Sequence, residues 1–473
     1  MKLDVSVKNL GQIKEATFNI RPMTVITGPN GTGKSFFTKS LYSILSVINK
    51  NVFHEELSKT ILDIHLQLDT IIGIREKEGQ DVQIIKDSKD KFEKFEREFN
   101  RAKRWKIHDY FALMSYKISD VQAISNDFEN YFKKVDTSTF NLKVLFEECI
   151  QNFKRIESHI ELPNYYYSQF LIGHLENGIK DNFQISSIKE LISFEEEISE
   201  IKVDGLLSVE FRSKKNESNL ADFLGIIPKT HLLQLTAGFI DYVSSLSSVV
   251  FFESPAYWKV REALKFAKNN QSRLPIVGRQ SDDVLTGVPQ YFYELDDALS
   301  IKTKTEGKFK SATDLLETAI GGEFTFKGDN LSFKDKTGRE ISKNLISFGM
   351  TNLGMIQALL KHNVITEGSF IFIDEPETNL HPDWQVKLAE VLLVLAQGGV
   401  NIVIITHSSD FVKALEVKIK KLHIEVMEDF LSVHFVDVYG KLLEFESTDK
   451  IQQLIEAREL LSLAYQELYL SDL

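Results

Sequence analysis

The chain has 473 residues and a formal net charge of −12, with 43% hydrophobic and 26% charged residues. These values are ordinary for a globular chain with a sizeable core, and they exclude a disordered or fibrous protein. The acidic balance argues against a surface coated with DNA-binding charge, while leaving room for a local basic groove. No uncharged apolar run of about 18 residues occurs, so we expect no membrane span and no membrane partner.

The N-terminal sequence and the cysteine content indicate where in the cell the protein is expected. The first residues alternate apolar and polar side chains and lack the apolar core of a signal peptide, which argues against export. Cys149 is the only cysteine, so neither an intrachain disulfide nor a cysteine-based zinc site can form. We therefore expect a cytoplasmic protein.

Residues 1–50 predict the N-terminal lobe of an α/β head. Strand patterns at Leu3–Val7, Ala16–Ile20 and Met23–Thr27 lead into a glycine-rich loop, and apolar residues at helical spacing follow that loop. This order of strand, loop and helix is typical of a phosphate-binding α/β domain.

Residues 51–183 have the character of a helical insertion. No glycine occurs between Gly79 and Gly173 and no proline between Pro29 and Pro163, although these residues usually interrupt chains. Aromatic residues recur at three- and four-residue spacing between charges, which predicts amphipathic helices rather than a regular coiled coil.

Strand patterns return in residues 184–227, where Ile198–Val203 and Leu206–Phe211 flank a predicted hairpin turn. Residues 228–314 are interpreted as a second insertion or lid, which includes the apolar run Val249–Phe252.

Residues 315–446 alternate strand and helix patterns and complete the predicted head. The strands are expected at Phe324–Phe326, Leu331–Phe333, Phe370–Ile373 and Val400–Ile405, and helices from about Asn352 and over Asp383–Ala396. Continuously apolar strands separated by helices indicate a parallel sheet covered on both faces, and hence the α/β class. Residues 447–473 are predicted to carry a C-terminal helix, Asp449–Tyr469.

The sharpest chemical signal is Gly28-Pro-Asn-Gly-Thr-Gly-Lys34-Ser35, which matches the phosphate-loop pattern. Its glycines allow backbone N–H groups to face phosphate oxygens, and the following helix N-terminus adds positive potential. Lys34 can reach the β- and γ-phosphates, and the Ser35 hydroxyl can ligate Mg²⁺. The candidate nucleotide-binding residues are Asn30, Gly31, Thr32, Gly33, Lys34, Ser35 and Phe36.

A phosphate loop requires an acidic metal ligand on a neighbouring strand, and Phe370-Ile-Phe-Ile-Asp374-Glu375 supplies one. Asp374 is the predicted Mg²⁺ ligand, and Glu375 is predicted to polarise the attacking water.

These motifs resemble a known family. Residues 374–382, Asp-Glu-Pro-Glu-Thr-Asn-Leu-His-Pro, are similar to the hydrolysis segment of ABC-type ATPases, in the branch of SMC, Rad50-like, RecF and OLD-type proteins, and most similar to OLD-type ATPases. Ser347-Phe348-Gly349 resembles a reduced signature motif, with Phe348 where transporters usually have glycine. His407 resembles the switch histidine, and Gln184 the glutamine of the glutamine loop, with Gln290 and Gln280 as alternatives.

The resemblance implies an ABC-type P-loop head in which two subunits sandwich two ATP molecules with Mg²⁺. Ser347 and Gly349 would then meet the γ-phosphate bound to the other subunit, and Asn379 would cross the dimer interface. His407 would sense the γ-phosphate, and Gln184 would contact Mg²⁺ or the attacking water.

Two softer features complete the candidates. Residues 101–106, Arg-Ala-Lys-Arg-Trp-Lys, are a candidate nucleic-acid contact or, alternatively, a solvated helix face. Arg261 follows the apolar run Val249–Phe252 and resembles an arginine near the nucleotide or partner in OLD-type relatives.

We expect an ATPase that dimerises around ATP and regulates an effector. Only 27 residues follow Glu446, too few for the nuclease domain of OLD-type nucleases, so a nuclease or toxin would act in trans. This arrangement resembles the ATPase subunits of Septu- and PARIS-type anti-phage systems. The main alternative is a RecF- or Rad50-like DNA-repair or chromosome-associated ATPase. A transporter subunit and a scaffold without turnover are further alternatives.

Overall fold

A computed structural model describes residues 2–135, 140–213, 231–253, 260–271, 287–299, 307–327, 330–342 and 345–463. The chain forms two compact units. The first comprises Met1–Asn49, Leu175–Thr236 and Ser245–Leu473, and the second comprises Lys50–His174 and Ala237–Ser244. Within the described ranges, no helix is both long and apolar enough to cross a membrane.

The described residues of the first unit form three sheets. Their strands are β1 (Leu3–Leu10), β2 (Ile13–Ile20), β3 (Met23–Thr27), β4 (Ile198–Val203), β5 (Leu207–Arg212), β6 (His231–Leu235), β7 (Val249–Phe252), β8 (Gly322–Lys327), β9 (Asn330–Asp335), β10 (Glu340–Ser342), β11 (Phe370–Asp374), β12 (Asn401–Thr406) and β13 (Leu431–Phe435).

The central sheet has the strand order β13-β3-β12-β11-β7, and all of its pairings are parallel. Every residue of β3, β12 and β13 is buried, because helices cover both faces of a parallel sheet. The carboxyl ends of these strands meet at one edge, which is where ligands bind in open α/β sheets. The edge strand β7 comes from the segment predicted as a second insertion.

A second sheet, in the order β2-β1-β4-β5-β6, is entirely antiparallel. Buried and more exposed residues alternate along β5, as expected when one face packs on the core. The predicted hairpin between β4 and β5 is confirmed, with Gly205 at a φ of 72° in its turn. A smaller antiparallel sheet has the order β10-β9-β8.

Helices surround the sheets of the first unit. They are Lys34–Asn49, the latter part of Pro163–Phe183, Arg261–Gln271, Gln290–Leu299, Lys310–Ile320, Phe348–Lys361, Pro382–Gln397, Ser409–Ile419, Met427–Phe430 and Lys450–Leu461. The helix expected from about Asn352 begins one turn earlier, because the Ser347 side chain accepts a hydrogen bond from the Met350 N–H at 3.2 Å and caps it. Residues 464–473 of the predicted C-terminal helix lie outside the described residues.

The second unit is helical. It consists of Val52–Lys77, Gln83–Arg101, Ile107–Phe132, Phe140–Glu161, the first part of Pro163–Phe183 and the short helix Phe239–Ser245 up to residue 244. Phe92, Phe99, Phe128, Phe146 and Phe153 are fully buried in its core. The predicted fold class, α/β with a parallel sheet and a large, mostly helical insertion, is confirmed.

Candidate functional site

The loop between β3 and the helix Lys34–Asn49 folds around the Lys34 ammonium. Lys34 Nζ donates to the Gly28 carbonyl at 3.0 Å and to Thr32 Oγ1 at 3.1 Å, and also to the Pro29 carbonyl. Burial lowers the pKa of Lys34 to about 8, although Asp374 and Glu375 favour its charged form. The positive charge is thus held beside the loop and the helix N-terminus, where anionic phosphates bind.

Asp374 ends β11, and its carboxylate forms a hydrogen bond with the Ser35 side chain. Burial raises the pKa of Asp374 to about 6, and the negative charge of Glu253 at the end of β7 acts in the same direction. Lys39, which forms an ion pair with Glu253 at 2.6 Å, opposes that shift.

Glu375 directly follows β11 in a left-handed backbone conformation, with φ at 52°. Such conformations are costly for residues other than glycine and are often found at functional sites. The Glu375 N–H donates to the Ile405 carbonyl at 2.9 Å, and Thr378 Oγ1 donates to Glu375 Oε2 at 3.0 Å. Both the main chain and the carboxylate of Glu375 are therefore fixed.

His407 follows β12, the strand between β3 and β11. Burial and the nearby charge of Lys34 lower the pKa of His407, against the influence of Glu375 and of a hydrogen bond to the Gly28 backbone. The imidazole is therefore neutral at pH 7, and it can exchange one hydrogen bond for another without adding charge.

A cavity of about 790 Å³ lies beside the phosphate loop. It is lined by Gly11, Gln12, Asn30, Gly31, Thr32, Gly33, Lys34, Ser35, Phe36, Lys189, Glu190, Ile192, Ser193, Phe194, Glu196, Ser213, Glu375 and His407. The structure thus brings residues 30–36, Glu375 and His407 to one cavity, whereas Asp374 is not among the residues that line it. Its volume falls in the range of small-molecule sites.

Part of the cavity wall was missed by sequence reasoning. Phe194, with 97% of its surface exposed, belongs to the segment after the short 3-10 helix Ile188–Leu191. The Gly11 N–H donates to the Leu191 carbonyl at 2.8 Å, and the Ser193 N–H donates to the Asn9 carbonyl at 2.9 Å. These bonds join residues at least 180 positions apart in the sequence, so no local sequence pattern predicts them.

Ser347 and Gly349, assigned to the γ-phosphate of the other subunit, and Asn379, assigned to the dimer interface, are not among the residues that line this cavity. Ser347 caps the helix Phe348–Lys361, and Gly349 packs so closely on the turn at Asn379 that a Cβ atom on residue 349 would overlap with the Asn379 carbonyl. Ser347 and Asn379 are exposed, whereas Gly349 is buried between them and the rest of the unit.

Gln184 does not line the cavity either. It has a φ of 54° just after the helix Pro163–Phe183, and its Nε2 donates to the Asp181 carbonyl at 2.6 Å. Of the alternatives, Gln290 begins the helix Gln290–Leu299, where the Tyr291 N–H donates to Asn182 Oδ1 at 2.9 Å. Gln280 lies outside the described residues.

Arg261 is completely buried and forms an ion pair with Asp296, which also contacts Lys265 at 2.9 Å. It does not line the cavity, and most of the segment before it lies outside the described residues. The basic cluster of residues 101–106 begins at the last residue of the helix Gln83–Arg101 and continues through the 3-10 helix Ala102–Arg104. Its Trp105 is 48% exposed.

The residues that could hold a metal ion are few. No group of three or more His, Cys, Asp or Glu side chains arranged for a metal ion occurs in the described part of the chain. Ser35 and Asp374 nevertheless offer a hydroxyl and a half-buried carboxylate side by side. This donor set fits Mg²⁺, which is bound through one or two protein oxygens together with phosphates and water.

Comparison with known proteins gives one family and several relatives. Residues 1–412 match the AAA_15 family, described as an AAA ATPase domain. The chain is 30% identical over 149 residues to the Old nuclease of Escherichia phage P2, an alignment covering 31% of this chain and about a quarter, 24%, of that protein.

Two solved SMC head domains are similar in structure. The Thermotoga maritima domain is 11% identical with a TM-score of 0.37, covering 94% of this chain and 100% of that one. The Pyrococcus furiosus domain, bound to the C-terminal domain of ScpA, is 10% identical with a TM-score of 0.39, covering 96% and 98%.

Proposed function

The chain belongs to the AAA_15 family of AAA ATPase domains, and from this premise we propose that it binds ATP with Mg²⁺ and hydrolyses it to ADP and phosphate. Family membership confirms the ATPase resemblance inferred from the motifs. The observation that carries the proposal is the convergence of the phosphate loop, Glu375 and His407 on one cavity.

In the proposed mechanism, Lys34 and the loop N–H groups bind the β- and γ-phosphates. Ser35 and Asp374 would hold Mg²⁺, which neutralises charge on the phosphate oxygens when bound. Glu375, fixed by Ile405 and Thr378, orients the attacking water and accepts its proton. His407 donates a hydrogen bond to the γ-phosphate and loses that contact on phosphate release.

The same cavity has room for the nucleoside beyond the phosphates. Phe194 presents an exposed ring in its wall, at the end of the cavity formed by the segment from Lys189 to Glu196. An aromatic face of this kind stacks on a base regardless of its hydrogen-bonding pattern. We propose that Phe194 stacks on the adenine.

We also propose that two copies dimerise around ATP. Ser347, Gly349 and Asn379 are adjacent to one another, yet they do not line the cavity of their own chain. A second copy could present this surface to the γ-phosphate, and ATP would then favour the dimer through contacts made only in that state. The role assigned to Gln184 is supported by no contact with the cavity and rests on the motif resemblance.

The biological role proposed is regulation of a separate nuclease or toxin in anti-phage defence, in the cytoplasm. The similarity to a phage nuclease over 149 residues supports it. The alternative, a DNA-repair ATPase, is favoured by the basic cluster around the exposed Trp105. DNA-stimulated hydrolysis with binding that weakens steeply with salt would support the alternative. Co-purification of a nuclease or toxin encoded beside this chain would support regulation.

A direct test of the chemistry is phosphate release by the purified full chain with ATP and Mg²⁺, compared with Lys34→Met. We expect multiple turnovers in the wild type and loss of both nucleotide binding and hydrolysis in the variant. A wild-type protein that binds ATP but never turns over would contradict the proposed activity.

A further inference from the structure

One acidic side chain, Glu377, contacts the turn that carries His407. Glu377 Oε1 accepts hydrogen bonds from Thr406 Oγ1 at 2.8 Å and from the His407 N–H at 3.1 Å. Glu377 itself does not line the cavity. Its hydrogen bond to the His407 N–H connects it to a residue that does line the cavity.

Thr406, the last residue of β12, forms hydrogen bonds with both Thr27 and Glu377. The Thr406 carbonyl accepts from Thr27 Oγ1 at 2.8 Å, and Thr27 is the residue before the phosphate loop. Thr406 Oγ1 also accepts from the Ser408 N–H at 3.1 Å while it donates to Glu377. A continuous chain of hydrogen bonds thus runs from the phosphate-loop strand through Thr406 to Glu377.

Glu377 also belongs to the turn that carries Glu375. The Thr378 N–H donates to the Glu375 carbonyl and the Leu380 N–H to the Glu377 carbonyl, each at 3.0 Å. Since these bonds make the turn compact, Glu377 connects the main chain beside the proposed base to the main chain of His407.

The Glu377 carboxylate is half-buried and is held by the hydrogen bonds that it accepts. Burial raises the pKa of Glu377, whereas hydrogen bonds from its own backbone, from Thr406 and from the His407 N–H act in the opposite direction. These bonds fix the position of the carboxylate between the two turns.

We propose that Glu377 is a positioning residue that fixes the His407 turn relative to Glu375, so that the water-activating carboxylate and the imidazole face the γ-phosphate together. This inference rests on the proposed ATPase function. It assigns Glu377 an effect on the rate of the chemical step and none on nucleotide affinity.

The test compares Glu377→Gln with Glu377→Met, since both approximate the size of glutamate and only glutamine keeps an oxygen acceptor. We expect Glu377→Met to lower kcat by about 10- to 100-fold, the scale expected for small displacements of catalytic groups. The KM for ATP and the Kd of a fluorescent ATP analogue should stay within about twofold of the wild type. Glu377→Gln should retain most of the rate. Equal losses in the two variants, or wild-type kcat in Glu377→Met, would overturn the inference.

Thr406→Val provides a second route if Glu377→Met folds poorly, because it removes the hydroxyl that donates to Glu377. It should lower kcat in the same direction, and the double variant should be little worse than Glu377→Met, since the two changes break one connection. Additive losses would contradict the shared connection. Glu444→Met, at an exposed glutamate, is the matched control and should be unaffected.

Amide hydrogen exchange in residues 406–408 of the nucleotide-free protein provides a readout independent of turnover. Exchange should accelerate in Glu377→Met and remain unchanged in Glu375→Gln. An inactive wild-type protein would refute the proposed ATPase, whereas an active wild type with an equally active Glu377→Met would refute only the role of Glu377.

Discussion

Gly28 and Val436 approach so closely that a Cβ atom on residue 28 would overlap with the Val436 carbonyl oxygen. Gly28 also has a φ of 135°, a conformation that side-chain-bearing residues rarely adopt. Val436 is itself held, because its N–H donates to the Thr27 carbonyl at 2.8 Å. The phosphate loop therefore leaves β3 through a space that only glycine fits.

We expect Gly28→Ala to destabilise the protein by about 2 kcal/mol or more, because both the steric overlap and the backbone conformation oppose the new methyl group. Nucleotide binding should be lost with it. Urea unfolding and ATP titration measure the two effects. Gly73→Ala is the control: this glycine lies inside the helix Val52–Lys77 with nothing within 4 Å of the added carbon, and the change should stabilise by about 0.5–1 kcal/mol. A stable, nucleotide-binding Gly28→Ala protein would contradict this reading of the loop.

Phe194→Ala tests the adenine contact. Loss of one base-stacking interaction is worth about 1–3 kcal/mol, so ATP affinity should fall by roughly 5- to 150-fold. Affinity for inorganic tripolyphosphate should not change, because that ligand has no base. Phe266→Ala removes another exposed phenylalanine, 70% exposed, and serves as the control. An equal loss of affinity for ATP and for tripolyphosphate would show that Phe194 affects phosphate binding rather than adenine stacking.

His434 predicts a loss of stability in mild acid. Its buried ring accepts a hydrogen bond from the Asn19 N–H at 3.2 Å, and burial lowers its pKa to about 4 from the ordinary 6.5. His434 is therefore protonated below about pH 6.5 in the unfolded chain, but only below about pH 4 in the folded chain. The resulting stabilisation is complete above pH 6.5 and is lost as the pH falls to 4, by about 3 kcal/mol.

The measurement is the free energy of unfolding between pH 7 and pH 4 for the wild type and for His434→Gln. The variant should lose less stability over this interval, whereas a change at the exposed His423 should leave the slope as in the wild type. Identical slopes for the wild type and His434→Gln would contradict a neutral buried imidazole.

The parallel sheet and the phosphate loop could be predicted because they depend on local sequence patterns. The apolar strands β3, β11 and β12 stand out as uninterrupted runs, since a parallel sheet is buried on both faces. The phosphate loop and Asp374 follow such strands directly, and their place at one sheet edge is a consequence of parallel pairing.

The remainder depends on contacts between distant segments. Phe194 reaches the cavity only because Ile192 bridges to Leu10 across the sheet, and the Glu377 contacts exist only because β11 and β12 are neighbours. The motif position of Gln184 could be read from the sequence, whereas the hydrogen bond from its amide to the Asp181 carbonyl could not. The burial and pairing of Arg261 could not be predicted either, because its partner Asp296 lies 35 residues further along the chain.

The central claim is that Glu375 activates water at an ATP site, and Glu375→Gln tests it most directly. Removing the proton acceptor should lower kcat by about 100-fold or more while ATP binding persists, so the variant should accumulate as an ATP-bound dimer in analytical ultracentrifugation. Glu444→Gln, at an exposed glutamate, controls for the change of charge. We predict wild-type turnover in that control and a trapped, ATP-bound protein in Glu375→Gln. Hydrolysis by Glu375→Gln at the wild-type rate would contradict the account.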